Sequence, residues 1–511
     1  MTDENYPASN DSNSEEITAL KQDASNTIIS DRSVNVTDGK LFKPLLLLSA
    51  PIVLSQTLDI VYYLVDLYWI GHLGANAVAA MSYSWPVIFL VISIGLGLTT
   101  AGTVLVAQNK GSGRIVHANT IAGGTVSFIT IISIVLSIGG YTLTPWLLAL
   151  VGAAPGTEPH TLAVRYTRIT FLGLVPMFWF FIFDSIARGW GDTRTPLALM
   201  ELSVFVNVLI DPIAIHGFAA NPLFEWAGLD SLETMLQAQT GFAGYGVEGA
   251  AIATVFSRSI AALLGLYILF SGRSGLNVTL ETLRLRRTTL SEIVTVGVPT
   301  AIEMGVRASG VAILTAIIAI EGDAAVAAYG IAEYLAALLF LPALGLARGT
   351  ETTVGQNLGA DQVTRAKQAV YLSAGMVVVV FVFAVAAAYP FAETIVSVFL
   401  TAETNDGSVE SIVRNSAAYV WIVGPAMIFL GVFQVTLAAF RGSGNTKLAM
   451  ALSVQELWMF RLPLSYVFVQ WFETGIVGVW YAIALSYVIS TLIAVLWFLR
   501  GRWMTSPSLG G

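Results

Sequence analysis

Twelve long apolar stretches constrain this chain more than any other feature. They fall near residues 44–70, 77–106, 117–142, 161–187, 195–216, 246–271, 290–319, 325–355, 366–390, 411–440, 447–470 and 475–499. Each supplies roughly the 20 apolar residues that a helix needs to cross the hydrocarbon core of a bilayer. Only helices and closed barrels satisfy their own backbone in lipid. Of the 511 residues 55% are hydrophobic and 11% charged, where a soluble domain carries about a quarter charged. The chain is therefore predicted to be an all-α membrane protein with twelve transmembrane helices. The apolar pieces at 145–153 and 391–400 are too short to cross and are expected at the membrane interface.

Basic residues sort the connections. Lys110 and Arg114, Arg188 and Arg194, the group Arg273, Arg284, Arg286 and Arg287, Arg365 and Lys367, Arg441 and Lys447, and Arg500 and Arg502 all follow even-numbered stretches. The long segment 217–245 after the fifth has no Lys or Arg. Because positive charge is retained in the cytoplasm, both termini and the even connections are expected there. That makes the chain a multi-pass protein of the plasma membrane. The first 40 residues hold eight Asp/Glu against three Lys/Arg and no apolar run, so 1–40 reads as a disordered acidic tail rather than a signal peptide.

The chain repeats itself. Shifted by 248, residues 51–112 lie on 299–360 without a gap: Pro51 meets Pro299, and "GLGLTTAGTVLVAQNKG" (95–111) meets "ALGLARGTETTVGQNLG" (343–359). "RGWGDTRT" (188–195) likewise echoes "RGSGNTKL" (441–448). The predicted architecture is two pseudo-symmetric six-helix bundles, an N-lobe over 41–271 and a C-lobe over 290–500. Residues 272–289 join them, and 501–511 form a C-terminal tail. An even number of spans per half keeps the halves in one orientation, related by an axis along the membrane normal, which is an arrangement used for alternating access.

A charge inside a membrane needs a partner or a task. In the second half most acids have a nearby base: Glu303 with Arg307, Glu351 with Arg348, Glu456 with Arg461, leaving Glu333 as the exception. These read as structural pairs, as does Asp184 with Arg188. In the first half Asp59, Asp66 and Asp211 have no Lys or Arg within five residues. Asp59 and Asp66 share one helix face, as do Asn207 and Asp211. By depth, Asp66, Asn207, Asp211, Thr254 and Tyr166 fall at one level on four spans. Pro212, lacking an N–H, also frees the carbonyl of Val208. Such an oxygen-rich, negative cluster suits a hard cation such as Na⁺, with protonation as the competing way to neutralise it. The alternative is a buried structural network that turns over no ion.

Other chemistries are excluded or unsupported. The chain has no Cys, which removes disulfides and Cys-ligated metals. His72, His117, His160 and His216 are scattered, and no GxxxxGK[ST] loop exists. No nucleophile or metal constellation points to an enzyme, and neither a cofactor nor a nucleic-acid partner is expected.

"YLVDLYWIGHLG", "RGWGDTRTP", "NVLIDP", "GVEGAAIAT" and "VGQNLGA", in this order in a duplicated twelve-span chain, resemble the multidrug and toxic compound extrusion (MATE) transporters, most of all their archaeal and bacterial DinF-like branch. The resemblance covers roughly 43–500. It implies a monomeric antiporter that exports cationic or amphipathic small molecules while H⁺ or Na⁺ enters. By motif match the coupling-ion network falls on Asp66, Asn207, Asp211 and Thr254, with Tyr166 nearby. Asp59 and Asp184, where relatives often carry uncharged residues, are candidates for an extended network. Another branch has a Glu eight residues after the proline of the seventh span; here that position is Arg307. The neighbouring readings are a flippase for lipid-linked saccharides, which calls for an Arg-rich cleft where the first half offers chiefly Arg165 and Arg168, and a channel. Met177, Phe178, Trp179 and Phe180 face either the cleft or lipid.

Overall fold

The computed structural model describes residues 33–218, 221, 224, 228–399 and 407–504. Ten single helices are long and apolar enough to cross a membrane: α1 (Phe42–Gly71), α2 (Ala75–Gly111), α3 (Ile115–Leu150), α6 (Arg194–His216), α8 (Val247–Phe270), α9 (Arg287–Ala319), α10 (Asp323–Gly359), α11 (Val363–Ala388), α13 (Gly407–Gly442) and α16 (Gly475–Leu499). Another crossing is bent by 50° between α4 (Glu158–Leu172) and α5 (Leu174–Trp190). Pro176 has no N–H for the carbonyl of Leu172, and a side chain at Gly173 would run into Val255, so the chain turns here. The remaining crossing runs from α14 (Thr446–Val454) through a π-helical stretch, Gln455–Arg461, into α15 (Leu462–Gln470). Pro463 at the start of α15 explains the widened turn before it. The twelve predicted crossings are thus all helical, and among the described residues there is no strand.

Residues 145–150 prolong α3 instead of forming a separate interfacial piece, whereas 392–397 form the short helix α12 (Ala392–Ser397). Within the long segment after α6, a short helix, α7 (Asp230–Thr240), has no buried residue.

Each half has its own apolar core. One gathers residues from Leu314 to Trp503; the other gathers Tyr62 to Val278 and takes in Ile293, Val296 and Ala301 of α9. Large apolar side chains such as Phe205, Val382 and Phe383 stay exposed on the outer surface, as lipid-facing residues do and as few soluble proteins tolerate. Trp503, placed in the C-terminal tail by sequence, is buried: its indole N–H donates to the Phe498 carbonyl at 2.9 Å.

The lobes close on each other near the face that carries both ends of the described chain. The two repeated motifs meet there reciprocally. Gln108 Nε2 donates to the Gly442 carbonyl at 2.9 Å, and its repeat partner Gln356 donates to the Gly189 carbonyl at 2.9 Å. Thr352 adds a bond to the Arg188 carbonyl at 3.2 Å. Glycine permits the approach: a Cβ on Gly111 would strike the Gln356 carbonyl, and one on Gly359 would strike that of Gln108. Gly345 and Gly349 admit Val53 and Ser49 in the same way. Among the described glycines the close approaches between the lobes all fall on this side. The cleft is therefore sealed at the terminus-bearing face, and the cavity above the seal opens to solvent.

The acidic-tail reading needs correction at its end. Residues 1–32 lie outside the described residues, but 33–40 form an ordered strap across the sealed face. Val34 N–H donates to the Gly191 carbonyl of the N-lobe at 3.0 Å. On the C-lobe, Asn357 Nδ2 reaches the Val36 carbonyl at 3.1 Å. Arg365 grips the carbonyls of Val36, Asp38 and Gly39 at 3.0, 2.8 and 2.8 Å. Val36 is fully buried. Polar composition did not reveal the strap because main-chain carbonyls, not side chains, make most of these bonds.

The glycine contacts give a direct test. In this cysteine-free chain, Thr352→Cys places one thiol inside the lobe contact. Maleimide should label it slowly, and adding Gly111→Ala should raise the labelling rate several-fold by forcing the lobes apart. Equal rates would show that the seal does not depend on this approach.

Candidate functional site

α1 leads away from the terminus-bearing face, so Asp59 and then Asp66 stand at increasing distance from the seal. Asp66 is 4% exposed, and Asn207 and Asp211 of α6 are both 0% exposed. Thr254 of α8 donates its hydroxyl to Asp66 Oδ2 at 3.0 Å. Asp211 and Asn207 close against the same carboxyl group, and Tyr166 of α4 is buried beside both acids. Structure thus brings together the five residues singled out by depth. Asp66 Oδ1, both Asp211 oxygens and both polar atoms of Asn207 face only one another and make no well-aligned hydrogen bond. Buried polar atoms seldom stay unpaired, and no Lys or Arg is bonded to either acid among the described residues.

The surrounding scaffold is better satisfied. The Tyr62 hydroxyl shares a short bond with Ser257 and reaches the Thr254 carbonyl at 3.3 Å, pinning α1 to α8. Asn221 Nδ2 donates to the carbonyls of Pro212 and Gly217 at 2.9 and 2.5 Å and so closes the end of α6 behind the acids.

The two candidates for an extended network each have a guanidinium of their own. Arg258 of α8 binds Asp59 at 2.9 Å and lies over the Tyr62 ring at 4.7 Å. Arg188 binds Asp184 at 2.5 Å. Asp59 therefore has a basic partner, 199 residues away in sequence, which local spacing could not show. In the C-lobe Arg461–Glu456 and Arg348–Glu351 pair as expected, at 2.6 and 3.5 Å. Glu303 does not pair with Arg307. It meets Arg441 at 2.5 Å, while Arg307 donates to Ser453 at 3.1 Å. A helical i,i+4 spacing permits a pair, but here α13 and α14 offer better-placed groups. Glu333, the exception, stands near Tyr329, Arg461 and Arg307.

Between the sealed floor and the open face lies a cavity of about 1510 Å³, part of it open to solvent, walled almost wholly by the N-lobe. Leu344 and Arg348 are the C-lobe's contribution. Asp66, Thr254 and Tyr166 reach its surface, whereas Asn207 and Asp211 do not line it. Asp66 is thus the acid of the pair that faces the cavity. Its apolar wall includes Trp85, Phe89, Met177, Phe180 and Phe181. Phe178 instead packs inside the lobe, and Trp179 donates to Thr130 at 3.0 Å. Arg165 and Arg168 are not in the wall: the first pairs with Glu248 at 3.1 Å and the second lies over Tyr141. The arginines that do line it, Arg188, Arg258 and Arg348, were not read as cleft residues from sequence. Arg188 and Arg348, within one turn of Asp184 and Glu351, read as closed pairs, and Arg258 has no acid near it in sequence to draw attention to it. Among the described residues no group of three or more His, Asp or Glu is arranged to hold a metal.

The MatE family profile matches residues 51–213 and again 299–467. A probable multidrug resistance protein NorM of Thermotoga maritima is 27% identical over 469 residues, covering 90% of this chain and 93% of that protein. An FAD transporter of Shewanella oneidensis is 25% identical over 421 residues, 82% of this chain and 86% of that one. In structure, a MOP superfamily transporter of Pyrococcus furiosus, reported to have a binding pocket of reverse polarity, superposes with a TM-score of 0.82 at 23% identity, over 92% of this chain and 98% of that chain; this likeness is one of fold. The two profile matches begin at the two prolines that head the internal repeat. From these matches to both halves it follows that the chain belongs to the MatE family, the multidrug and toxic compound extrusion transporters, and is a multi-pass membrane transporter, not an enzyme.

Proposed function

We propose that the chain is a secondary antiporter that exports cationic or amphipathic drug-like compounds, driven by inward movement of H⁺ or Na⁺ through the Asp66/Asp211 cluster. The observation that carries this reading is a buried pair of carboxyl groups with no bonded base among the described residues, one of them, Asp66, at the wall of an aromatic cavity. Asp66, Asp211, Asn207 and Thr254 offer oxygens for a Na⁺ ion, and the two carboxyls can equally share a proton. The distribution of Lys and Arg supports cytoplasmic termini, which makes the open face the external one. A cation arriving from outside neutralises Asp66 and Asp211, repacks α1 against α6 and α8, and displaces substrate. The loaded lobe then rocks to open the other face, where the ion leaves and new substrate binds. Only a difference in ion affinity between the two states can drive this exchange. The cavity is walled within one chain, which supports a monomeric working unit. An exporter of anionic compounds or of lipid-linked saccharides is the second reading, favoured by three arginines on the cavity wall and by the FAD transporter among the relatives.

Proteoliposomes loaded with ethidium and given a pH gradient or a Na⁺ gradient separately should show efflux under one or both. Asp66→Asn should lower that efflux by at least about tenfold, the effect of roughly 1.4 kcal/mol in a coupling step. Unchanged transport in this variant would remove Asp66 from the mechanism.

Arg258 gives a second test. It lies within electrostatic reach of Asp66 but is bonded to Asp59. Asp59→Asn should free the guanidinium to neutralise Asp66 permanently, cutting gradient-driven efflux about as severely as Asp66→Asn. Adding Arg258→Gln should restore part of it. If the double variant transports no better than the single one, the pair acts by structure alone.

A further inference from the structure

The strap over 33–40 has a counterpart in the other half. The shift of 248 that superposes the repeats continues beyond residue 112: α3 and α11 begin at Ile115 and Val363, 248 positions apart. Just before them Gly113 and Asp361 both take left-handed backbone, with φ of 71° and 57°. In the other direction Leu41, Leu45 and Leu48 answer to Thr289, Ile293 and Val296, and all six are buried. In this register 33–40 fall on 281–288, inside the connection 272–289.

Each segment leads into the first helix of one half and is held by the third helix of the other. The connection lies on α3, where a Cβ on Gly123 would strike the Thr282 carbonyl and one on Gly124 the Thr289 side chain. His117 at the start of α3 then holds Glu292 at 3.1 Å. The repeat partner of His117 is Arg365, the residue that grips the strap. All three guanidinium nitrogens of Arg365 donate to strap carbonyls, and Asn357 of α10 adds another bond. Gly39, with φ of 67°, makes the turn that brings these carbonyls to one side chain. Leu41 and Leu45 continue the contact onto Ala369 of α11.

The two segments differ in what joins them to the opposite half. Residues 272–289 are a covalent link and cannot part. The strap reaches the N-lobe at its far end by a neutral main-chain bond, from the Val34 N–H to the Gly191 carbonyl. Gly191 is left-handed there, and a Cβ on it would stand 3.1 Å from the Val34 carbonyl. Hydrogen bonds from a charged guanidinium are stronger than neutral ones. Separating the halves at this face therefore strips the strap from Gly191 and leaves it on the C-lobe.

We infer that residues 33–40 are a releasable latch: they mirror the covalent connection across the seal, stay with the C-lobe, and let go of the N-lobe at Gly191 when the terminus-bearing face opens. A two-fold relation between the halves sets the connection as the fixed side of that opening and the strap as its free side. The latch works in the same way whichever ion or substrate the cavity takes, so it goes beyond the antiporter reading and does not rest on it.

Thiol labelling of the full-length protein in detergent tests this. With Thr352→Cys as reporter in the lobe contact, Val34→Pro removes the N–H that reaches Gly191. It should speed maleimide labelling about fivefold, the effect of one neutral hydrogen bond. Arg365→Gln frees the strap from its anchor and should speed labelling at least as much, with Arg365→Lys between it and the parent chain. His117→Gln, at the equivalent place beside the covalent link, should leave the rate within about twofold. A second reporter, Ser133→Cys, lies fully buried inside the N-lobe and should label as slowly in the strap variants as in the parent chain. The latch is overturned if the strap variants leave the rate at residue 352 unchanged, if His117→Gln raises it as much as they do, or if residue 133 accelerates equally.

Discussion

Two glutamine side chains hold the molecule in its sealed state. Gln108 and Gln356 occupy equivalent places in the two repeats, and each bonds to the glycine carbonyl of the other repeat's Arg-Gly motif. A neutral side-chain to main-chain bond contributes only about 1 kcal/mol. A contact of that strength can open and reform readily. The nearby glycines bring backbone to backbone so closely that no other residue type could take their place without moving the lobes. Together with the Thr352 bond and the strap, these contacts give the cavity its floor.

The duplication has kept the scaffold and divided the electrostatics. A shift of 248 places Asp59 on Arg307 and Asp66 on Leu314. In the C-lobe the buried acids Glu303, Glu351 and Glu456 each face an arginine. Breaking such a pair from one side typically costs about 3–5 kcal/mol, so these acids are committed to holding helices together. In the N-lobe Asp66 and Asp211 have no bonded base and remain available. The same fold thus yields a half whose buried acids are paired with arginines and a half that keeps two buried acids without a bonded base. The cavity leans into the second.

Much of this was legible in the residues themselves. Span length and the distribution of arginines gave the helices, and the repeat gave the lobes. Depth along four helices was enough to gather Asp66, Asn207, Asp211, Thr254 and Tyr166, because a helix rises by a fixed amount per residue. What escaped was long-range pairing. Asp59 with Arg258 and Glu303 with Arg441 are 199 and 138 residues apart, and no local spacing encodes which helix face will meet which. The π-helical turn at Gln455–Arg461 was hidden for a related reason: Pro463 signals a disturbed backbone but not how the disturbance is absorbed. The strap was hidden because its bonds use carbonyls that every residue has.

That strap has a consequence for how the chain comes to be folded. Residues 36–39 are held by Arg365, up to 329 positions later in sequence. Until α11 has been synthesised, this grip has nothing to close on. The connection 272–289 differs: it packs back on α3, where the Ser127 hydroxyl donates to the Leu283 carbonyl at 2.7 Å, and can settle as soon as it emerges. Contacts of such unequal sequence separation form at different times. Residues 33–40, made well before Arg365, therefore reach their final place only after α11 has been made, and their docking requires parts of both halves.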